Sequence, residues 1–547
     1  MVLSPKVYTW LCGLFASLGS IIFGYDLGVI AGDTMGSRFN DPNLEGLITS
    51  ILRIFAGMFP VAYFADTLGR RKTIQIGALV YMLGGALQTG ARNMDMIWAG
   101  RFFAGFGIGI MADLAPLYQA EIAHPSIRGR LTTLQQFMLG IGAFAASWIT
   151  YGTSAGLKGT QAEWRVPLGI QIIPAVPLFA FILLLPESPR WLAEKGRFDE
   201  ATKTLAKLHA HGNVNDPFVV SQMEDIKAEI QKATEIGSVS WGELLTDSSN
   251  LRRVSLGYIL QFSVQMTGVS AIQYYSTTIF TTMGFSATRV LLFQSINSVI
   301  ALIGEACCVL WVDNTGRRLP LIIGNVASGL SFVVGSILMA RWPGTVNKYA
   351  HYVSIDLTWI FNFFFSACIG PLSWAYPAEI YVFFFNDARA EHSLSSTRTR
   401  AKATAVTSSA SWISNFFIAQ VTPVAFSHIG WNESFTQCFA YGRSCPSCSA
   451  LFVWAFYPET TGRRLEEMDA LFHDAPLFVA NTPYANKQDR HLAEKELREG
   501  AFLCSLVCIR RLFIISFCQG PLYPAIFQRG LVTLSTKKRI LTNAMSI

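Results

Sequence analysis

Charge is scarce in this sequence. Asp, Glu, Lys and Arg make up 14% of 547 residues, against roughly a quarter in soluble domains. Half of the chain is hydrophobic (51%) and 13% is aromatic, more apolar surface than a soluble chain of this size can hide from water. A soluble globular protein is therefore excluded. Also missing are a glycine-rich phosphate loop, a nucleophile–base set and a metal-ligand cluster at workable spacing, so the chain is read as no enzyme and as holding no metal and no cofactor. Ten cysteines form no zinc pattern. Cys445-Pro-Ser-Cys448 is a formal C-x-x-C, but it lacks the βαβ context of a redox motif. No cleavable signal peptide is evident: the first apolar block is too long, and its glycines and Asp26 look integral.

What remains is a series of apolar blocks near 20 residues long, the mark of an all-α polytopic membrane protein. We read twelve spans, at about 7–31, 44–65, 73–91, 96–117, 131–152, 166–185, 254–276, 288–312, 319–340, 353–376, 402–426 and 436–457. Lys and Arg mark alternate connectors, as in Arg70-Arg71-Lys72, Arg128 and Arg130, the 186–253 loop, Arg317-Arg318 and Arg463-Arg464. That asymmetry places both termini in the cytoplasm. It also accounts for the net charge of +7 without nucleic acid as a partner. The expected organisation is a six-helix bundle over 1–185, a helical cytoplasmic loop over 186–253, a second bundle over 254–472 and a cytoplasmic tail over 473–547.

The two halves repeat, which is a stronger signal than any single motif. Asp66-x-x-Gly69-Arg70-Arg71 follows span two, and Asp313-x-x-Gly316-Arg317-Arg318 follows span eight. Glu121 closes span four and Glu379 span ten; Pro186-Glu187 closes span six and Pro458-Glu459 span twelve. Three paired signatures in the same order do not arise by chance. One intramembrane carboxylate stands apart, Asp26 in FGYDLGVIAG, where an ionised side chain in hydrocarbon costs about 2.5–3.5 kcal/mol on insertion scales.

GYDLGVIAG, ADTLGRRK, GRFFAGFGIG, PESPRWLAEKGR, GVSAIQYYS and PETTGRRLEEM together make residues 7–472 resemble the sugar porter family of the major facilitator superfamily, in particular its fungal members. The resemblance implies two six-helix bundles around a central site that opens alternately to either side, in the plasma membrane. It implies transport of a monosaccharide with a proton; a facilitative uniporter, a polyol or quinate carrier and a non-transporting sugar sensor stay open. Its implied sugar ligands are Gln136 (or Gln135, one register away), Gln265, Asn297, Trp374, Trp412 and Asn415, with Tyr274 and Tyr275 as gating tyrosines. Amides and hydroxyls suit sugar OH groups, and an aromatic face suits the ring's C–H side. Proton-coupled relatives carry Asp at the place of Asp26, and its implied partner is Arg101 in span four; a static buried ion pair is the alternative. The implied cytoplasmic gate comprises Asp66, Gly69, Arg70, Arg71, Glu121, Arg128, Glu187, Arg190, Asp313, Gly316, Arg317, Arg318, Glu379, Arg400 and Glu459.

Departures are also legible. Val264 precedes Gln265 where many relatives have a Gln pair, Ser270 and Ser411 replace Asn, and Asn297 sits about a turn from its expected place. Arg53, Asp113, Glu305 and Asp356 are intramembrane charges without an assigned role. Seven residues separate Glu121 from Arg128, but twenty-one separate Glu379 from Arg400. The surplus, VFFFNDARAEHSLSSTRT at 382–399, reads as a non-native insertion from a retained intron. Residues 432–449, with Arg443 and Pro446, are a poor opening for span twelve. The tail after about residue 500 reads as an artefact of the gene model.

Overall fold

The computed structural model describes residues 4–31, 64–123, 128–236, 248–342, 348–380, 403, 406–418, 421, 446–461, 471–472 and 475–486. Among these residues every regular element is helical. The first apolar block forms α1 (Pro5–Ala16) and α2 (Leu18–Ala31). Ser4 starts α1 by accepting from the Val7 amide, with Pro5 at the position where no amide donor is needed. At the joint, the Ser17 hydroxyl donates to the Leu14 carbonyl at 2.7 Å, a back-bond of the kind that bends helices.

The N-terminal half continues with α3 (Arg70–Thr89), α4 (Met94–Ile122) and α5 (Arg128–Gly156). Its sixth block forms α6 (Ala162–Ile170) and α7 (Ala175–Phe181), parted at Pro174. The connecting loop carries α8 (Pro189–Glu194), α9 (Phe198–His209) and α10 (Pro217–Ile236) around a small core of Trp191, Leu192, Ala201, Met223 and Ile226. The Thr9 hydroxyl donates to the Leu208 carbonyl at 3.0 Å and ties α9 to α1.

The C-terminal half contains α11 (Ser248–Val264), a π-turn over Gln265–Val269 and α12 (Ser270–Thr282). It continues through α13 (Ala287–Thr315), α14 (Arg318–Arg341) and α15 (Lys348–Phe364), then a second π-turn over Phe365–Ile369 and α16 (Gly370–Ile380). Further helix occupies 406–418 and Pro446–Phe456. Pro446 packs against Gly329 of α14. Of the other residues read as anomalous, 382–399, 432–445 and 500–547 lie outside the described part, as does Arg53.

Among the described residues, six helical stretches are long and apolar enough to cross a membrane: Val7–Val29, Met94–Ile122, Ala162–Leu184, Ala287–Val312, Arg318–Gly335 and Tyr349–Pro377. They coincide with expected spans one, four, six, eight, nine and ten. Spans three, five and seven are helices of more polar composition. Most of span two lies outside the described residues. The helices overrun the apolar blocks, α5 covering 128–156 where the block covers 131–152. Apolar length measures hydrocarbon depth, whereas helical hydrogen bonding continues past it.

Close backbone approach holds α2 to α5. A Cβ at Gly24 would lie 1.9 Å from the Leu139 carbonyl oxygen, and one at Gly142 would lie 2.1 Å from that of Ile21. In lipid, dispersion at such small-residue contacts replaces the hydrophobic effect as the packing force. The remaining N-terminal core runs through Ile74, Tyr81, Ile108, Met111 and Tyr118. The C-terminal core gathers Leu256, Leu260, Leu321, Tyr376 and Tyr457.

One feature of the C-terminal end escaped the sequence. Residues 475–486, expected as the start of a cytoplasmic tail, are strapped to the base of the C-terminal half. Arg252 donates to the carbonyls of Ala475 and Pro476, both at 2.7 Å. The Val479 amide donates to Ala455 O at 2.7 Å, and the Glu459 amide to Tyr484 O at 2.9 Å.

Candidate functional site

The paired motifs build two matching ion-pair networks, one at the base of each half. In the first, Arg70 starts α3 and grips Glu121 with both arms, Nε at 2.9 Å and Nη2 at 2.8 Å. Burial lowers the pKa of Arg70, but the carboxylates of Glu121, Glu194 and Asp66 raise it by more, so the guanidinium stays charged. Glu187 accepts from the amides of Arg70 and Ser188 and from Arg71 Nε at 3.1 Å. In the second network, Arg317 donates to Glu379 Oε1 from Nε at 3.0 Å and from Nη2 at 2.7 Å. Glu459 accepts from the amides of Arg317, Arg318, Thr460 and Thr461, each at 3.0 Å.

The halves differ at the second arginine. Arg71 pairs with Glu187, whereas Arg318 donates to the carbonyls of Trp454 and Ala485. Both networks place a glycine where only a glycine fits. Gly69 (φ +91°) and Gly316 (φ +87°) are left-handed, and a Cβ there would lie 2.9 Å from Glu187 Oε2 and 2.6 Å from Glu459 Oε2. Arg190 is half-buried beside this region. The side chains of Arg128 and Asp313, and all of Arg400, lie outside the described residues. The ion pairs described above each join residues of one half and brace that half internally.

Between the halves lies a cavity of about 190 Å³, below the roughly 300–1,000 Å³ of drug-sized pockets and suited to a small ligand. Gln136, Gln265, Asn297, Trp374, Trp412 and Asn415 all line it. Gln135 does not; its amide reaches toward the Ala112 carbonyl at 3.5 Å, which separates the two register alternatives by position. The side chains of Tyr274 and Tyr275 lie outside the described residues. Gln265 anchors a polar cluster: it donates to Ser411 at 3.1 Å and accepts from Ser270 and from Asn415. The two serines that replace Asn therefore meet at Gln265. The π-turn at 265–269 brings this about, with Gly268 left-handed at φ +93°.

Sequence reasoning named too few cavity residues. Gln261, Gln273, Gln294 and Asn362 also line it, with Phe23 against Trp412 at a ring separation of 5.8 Å. Glu305, left without a role, is a lining residue too, whereas Asp356 is exposed on α15. The side chain of Asp113 is outside the described residues. Among the described lining residues none is Lys, Arg or His.

Asp26 lies on α2 between the lining residues Phe23 and Leu27 but is itself turned away, toward α4. Arg101 Nη1 donates to Asp26 Oδ1 at 2.9 Å, with Asp26 1% and Arg101 7% exposed. The expected pair is therefore formed, buried, directly behind the cavity wall.

Residues 12–472 match the family model described as "Sugar (and other) transporter". The chain belongs to the sugar transporter family of the major facilitator superfamily. It is an integral membrane carrier, not an enzyme. It is 30% identical over 530 residues to "MFS glucose transporter mfs1" of Aspergillus flavus, covering 90% of this chain and 95% of that protein. It is 31% identical over 509 residues to the quinate permease of Neurospora africana, covering 87% and 92%. Among solved structures it is similar to the proton:xylose symporter XylE bound to 6-bromo-6-deoxy-D-glucose. The TM-score is 0.69 at 25% identity, over 85% of this chain and 99% of that one. The transporter thus has the major facilitator fold of two six-helix bundles, and its cavity lies where the two bundles meet.

Proposed function

We propose that the transporter carries a neutral monosaccharide together with a proton across the plasma membrane by alternating access, with both termini cytoplasmic. The buried Asp26–Arg101 pair carries this reading. Neither ion reaches bulk water here, so their mutual attraction offsets their desolvation. Protonating Asp26 removes the attraction and leaves a neutral acid, which frees α2 to move against α4. Since Phe23, Leu27 and Gly28 of α2 line the cavity, a shift of that helix is felt by a bound sugar. One proton moved across 100 mV supplies about 2.3 kcal/mol, which is about fifty-fold accumulation. The similar XylE is described as a proton:xylose symporter.

The sugar reading rests on the lining. Amides of Gln136, Gln261, Gln265 and Asn415 supply paired donors and acceptors for hydroxyl groups. Trp374 and Trp412 supply faces for the C–H side of a ring. The similarity to quinate permeases raises a carboxylate substrate as an alternative. A bound anion would find no cation among the described lining residues, which disfavours that reading. The two basal networks hold each bundle rigid on the cytoplasmic side while the bundles rock, a bracing role in place of the expected gate between them.

Reconstituted transporter tests coupling directly. Labelled D-glucose or D-xylose should accumulate when an inward proton gradient is imposed, and external pH should rise with uptake. Asp26→Asn should keep sugar exchange at equal concentrations but lose accumulation. Accumulation by Asp26→Asn equal to wild type would make the pair a structural brace and the carrier a uniporter.

A further inference from the structure

Glu305 is the one charged residue among the described lining residues of the cavity. It belongs to α13 of the C-terminal bundle, yet its carboxyl lies against α5 of the N-terminal bundle. A Cβ at Gly140 would lie 1.7 Å from Glu305 Oε2, so the carboxyl occupies the notch that a missing side chain leaves. One turn before Gly140, the Gln136 amide reaches Oε1 at 3.5 Å. Oε2 has no hydrogen-bond partner among the described residues, and Glu305 is 5% exposed. Farther along the same helix pair, the Ser295 hydroxyl donates to the Ser147 carbonyl at 3.1 Å. The α5–α13 seam thus joins the bundles at two points about 10–15 Å apart along the helices.

Among the described residues, the surroundings offer Glu305 no counter-ion. Cys307 and Cys308 follow it on α13, and Cys368 sits on the π-turn packed against that helix. Arg317, just past the end of α13 and about three turns from Glu305, is engaged with Glu379. Asp356 of α15 is exposed about two turns from Phe363, whose carbonyl faces Gly304. The described part of α5 in this seam presents Gln136, Leu139, Gly140, Ala143 and Ser147, none of them charged. An ionised carboxylate held by a single long amide contact is costly in such a place. The acid form carries no charge and has a hydroxyl to donate.

We propose that Glu305 is a second proton-binding site, separate from Asp26–Arg101, whose proton seals the α5–α13 seam. The proposal rests on the sugar-carrier reading for its place in a cycle. With the proton bound, the neutral carboxyl lodges in the Gly140 notch and the bundles stay joined. When water reaches the seam, the carboxyl O–H bond breaks and the proton passes to water. The carboxylate left behind is solvated outside the notch, and the seam stays open. Rejoining the bundles requires a proton from water. Any cycle that passes through the joined state is then slowed at high pH, whether or not a proton gradient exists.

Two measurements on the full-length protein test this. The first is counterflow of labelled D-glucose and D-xylose at equal pH on both sides, across a pH series. Wild type should fall by about tenfold per pH unit above the titration point of the group. Glu305→Gln, a neutral mimic of the acid, should stay flat, and Asp26→Asn should keep the wild-type fall. A fall that persists in Glu305→Gln, or disappears in Asp26→Asn, overturns the proposal.

The second measurement is the infrared band of protonated carboxyl groups in purified protein at neutral pH. It should lose one component in Glu305→Gln, and an unchanged band overturns the proposal. This arm needs no transport, so a wild type that moves neither sugar defeats the sugar reading while the band still decides Glu305. Should Glu305→Gln fail to fold, Gln136→Leu removes the one hydrogen-bonding neighbour. It must then shift the pH at which the band titrates; an unshifted midpoint overturns the assignment.

Discussion

Arg70 divides its grip between the two oxygens of Glu121, whereas the two bonds from Arg317 to Glu379 meet at a single oxygen. The second oxygen of Glu379 accepts instead from Thr460 at 2.7 Å. The Glu121 side chain is fully buried, and that of Glu379 is 20% exposed. Two equivalent motifs thus hold their arginines with different security.

Unequal costs follow for the same substitution. Glu121→Gln takes the forked carboxylate from a buried guanidinium, leaving it the Ala65 carbonyl and a more distant, exposed Asp66, and should cost about 3–5 kcal/mol. Glu379→Gln keeps a carbonyl toward Arg317 and lets water in, and should cost about 1–3 kcal/mol. Thermal unfolding of both variants in detergent checks the order. Equal midpoints would mean that the bidentate geometry contributes nothing. Arg70→Lys should behave like the more severe variant, because an ammonium cannot form the fork.

The α2–α5 crossing invites a test of packing. Gly24→Ala puts a methyl 1.9 Å from a backbone oxygen that cannot move without its helix. Overpacking of this kind costs about 1–3 kcal/mol or more. Here it also shifts α2, which carries Asp26, against α5, which carries Gln136. Gly152→Ala, on the same α5 with nothing within 4 Å of the added carbon, should be neutral or stabilise by up to about 1 kcal/mol through helix propensity. Transport and melting temperature measured together should fall for the first variant and hold for the second.

Much of this was legible beforehand, for identifiable reasons. Glu121, Glu187, Gly69 and Arg70 were readable because a charged motif repeated in both halves has to sit at equivalent places. Asp26 was readable because a carboxylate in an otherwise uncharged span demands a partner. Cavity facing was only partly readable. A helix buried in protein on one side and lipid on the other is apolar all round, so its pattern does not reveal its rotation. That is why Gln135 and Gln136 were inseparable by sequence, and why Gln261, Asn362 and Glu305 went unassigned. The π-turns at 265–269 and 365–369 add a further local change of register that no 3.6-residue period anticipates.

Arg252 is the fastening of the 475–486 strap. Its guanidinium meets the carbonyls of Ala475 and Pro476 and lies over the Phe472 ring at 5.8 Å. Arg252→Ala should release the strap and make it a site of rapid proteolysis, with melting lowered by about 1–3 kcal/mol for the lost charged hydrogen bonds. Limited digestion of wild type and variant, with the cut sites mapped, reads this out. Equal digestion rates would mean that the amides of Glu459 and Val479 hold the strap unaided.

The segment at 382–399 makes a prediction about the gene. It separates Glu379, which is tied to Arg317, from the helix at 406–418 that carries the cavity residues Ser411, Trp412 and Asn415. The equivalent link in the N-terminal half is fourteen residues shorter. A longer link costs little in loop entropy, about 0.6 kcal/mol per doubling, so the fold tolerates it. On the reading of 382–399 as a non-native insertion, removing the surplus restores the link length of the N-terminal half. Deleting 382–395 should therefore leave folding intact and raise sugar uptake over the full-length chain in a transporter-deficient yeast. Transcripts from the source should show reads spliced across the same interval. Uniform read coverage and undiminished uptake by the full-length chain would establish the segment as native.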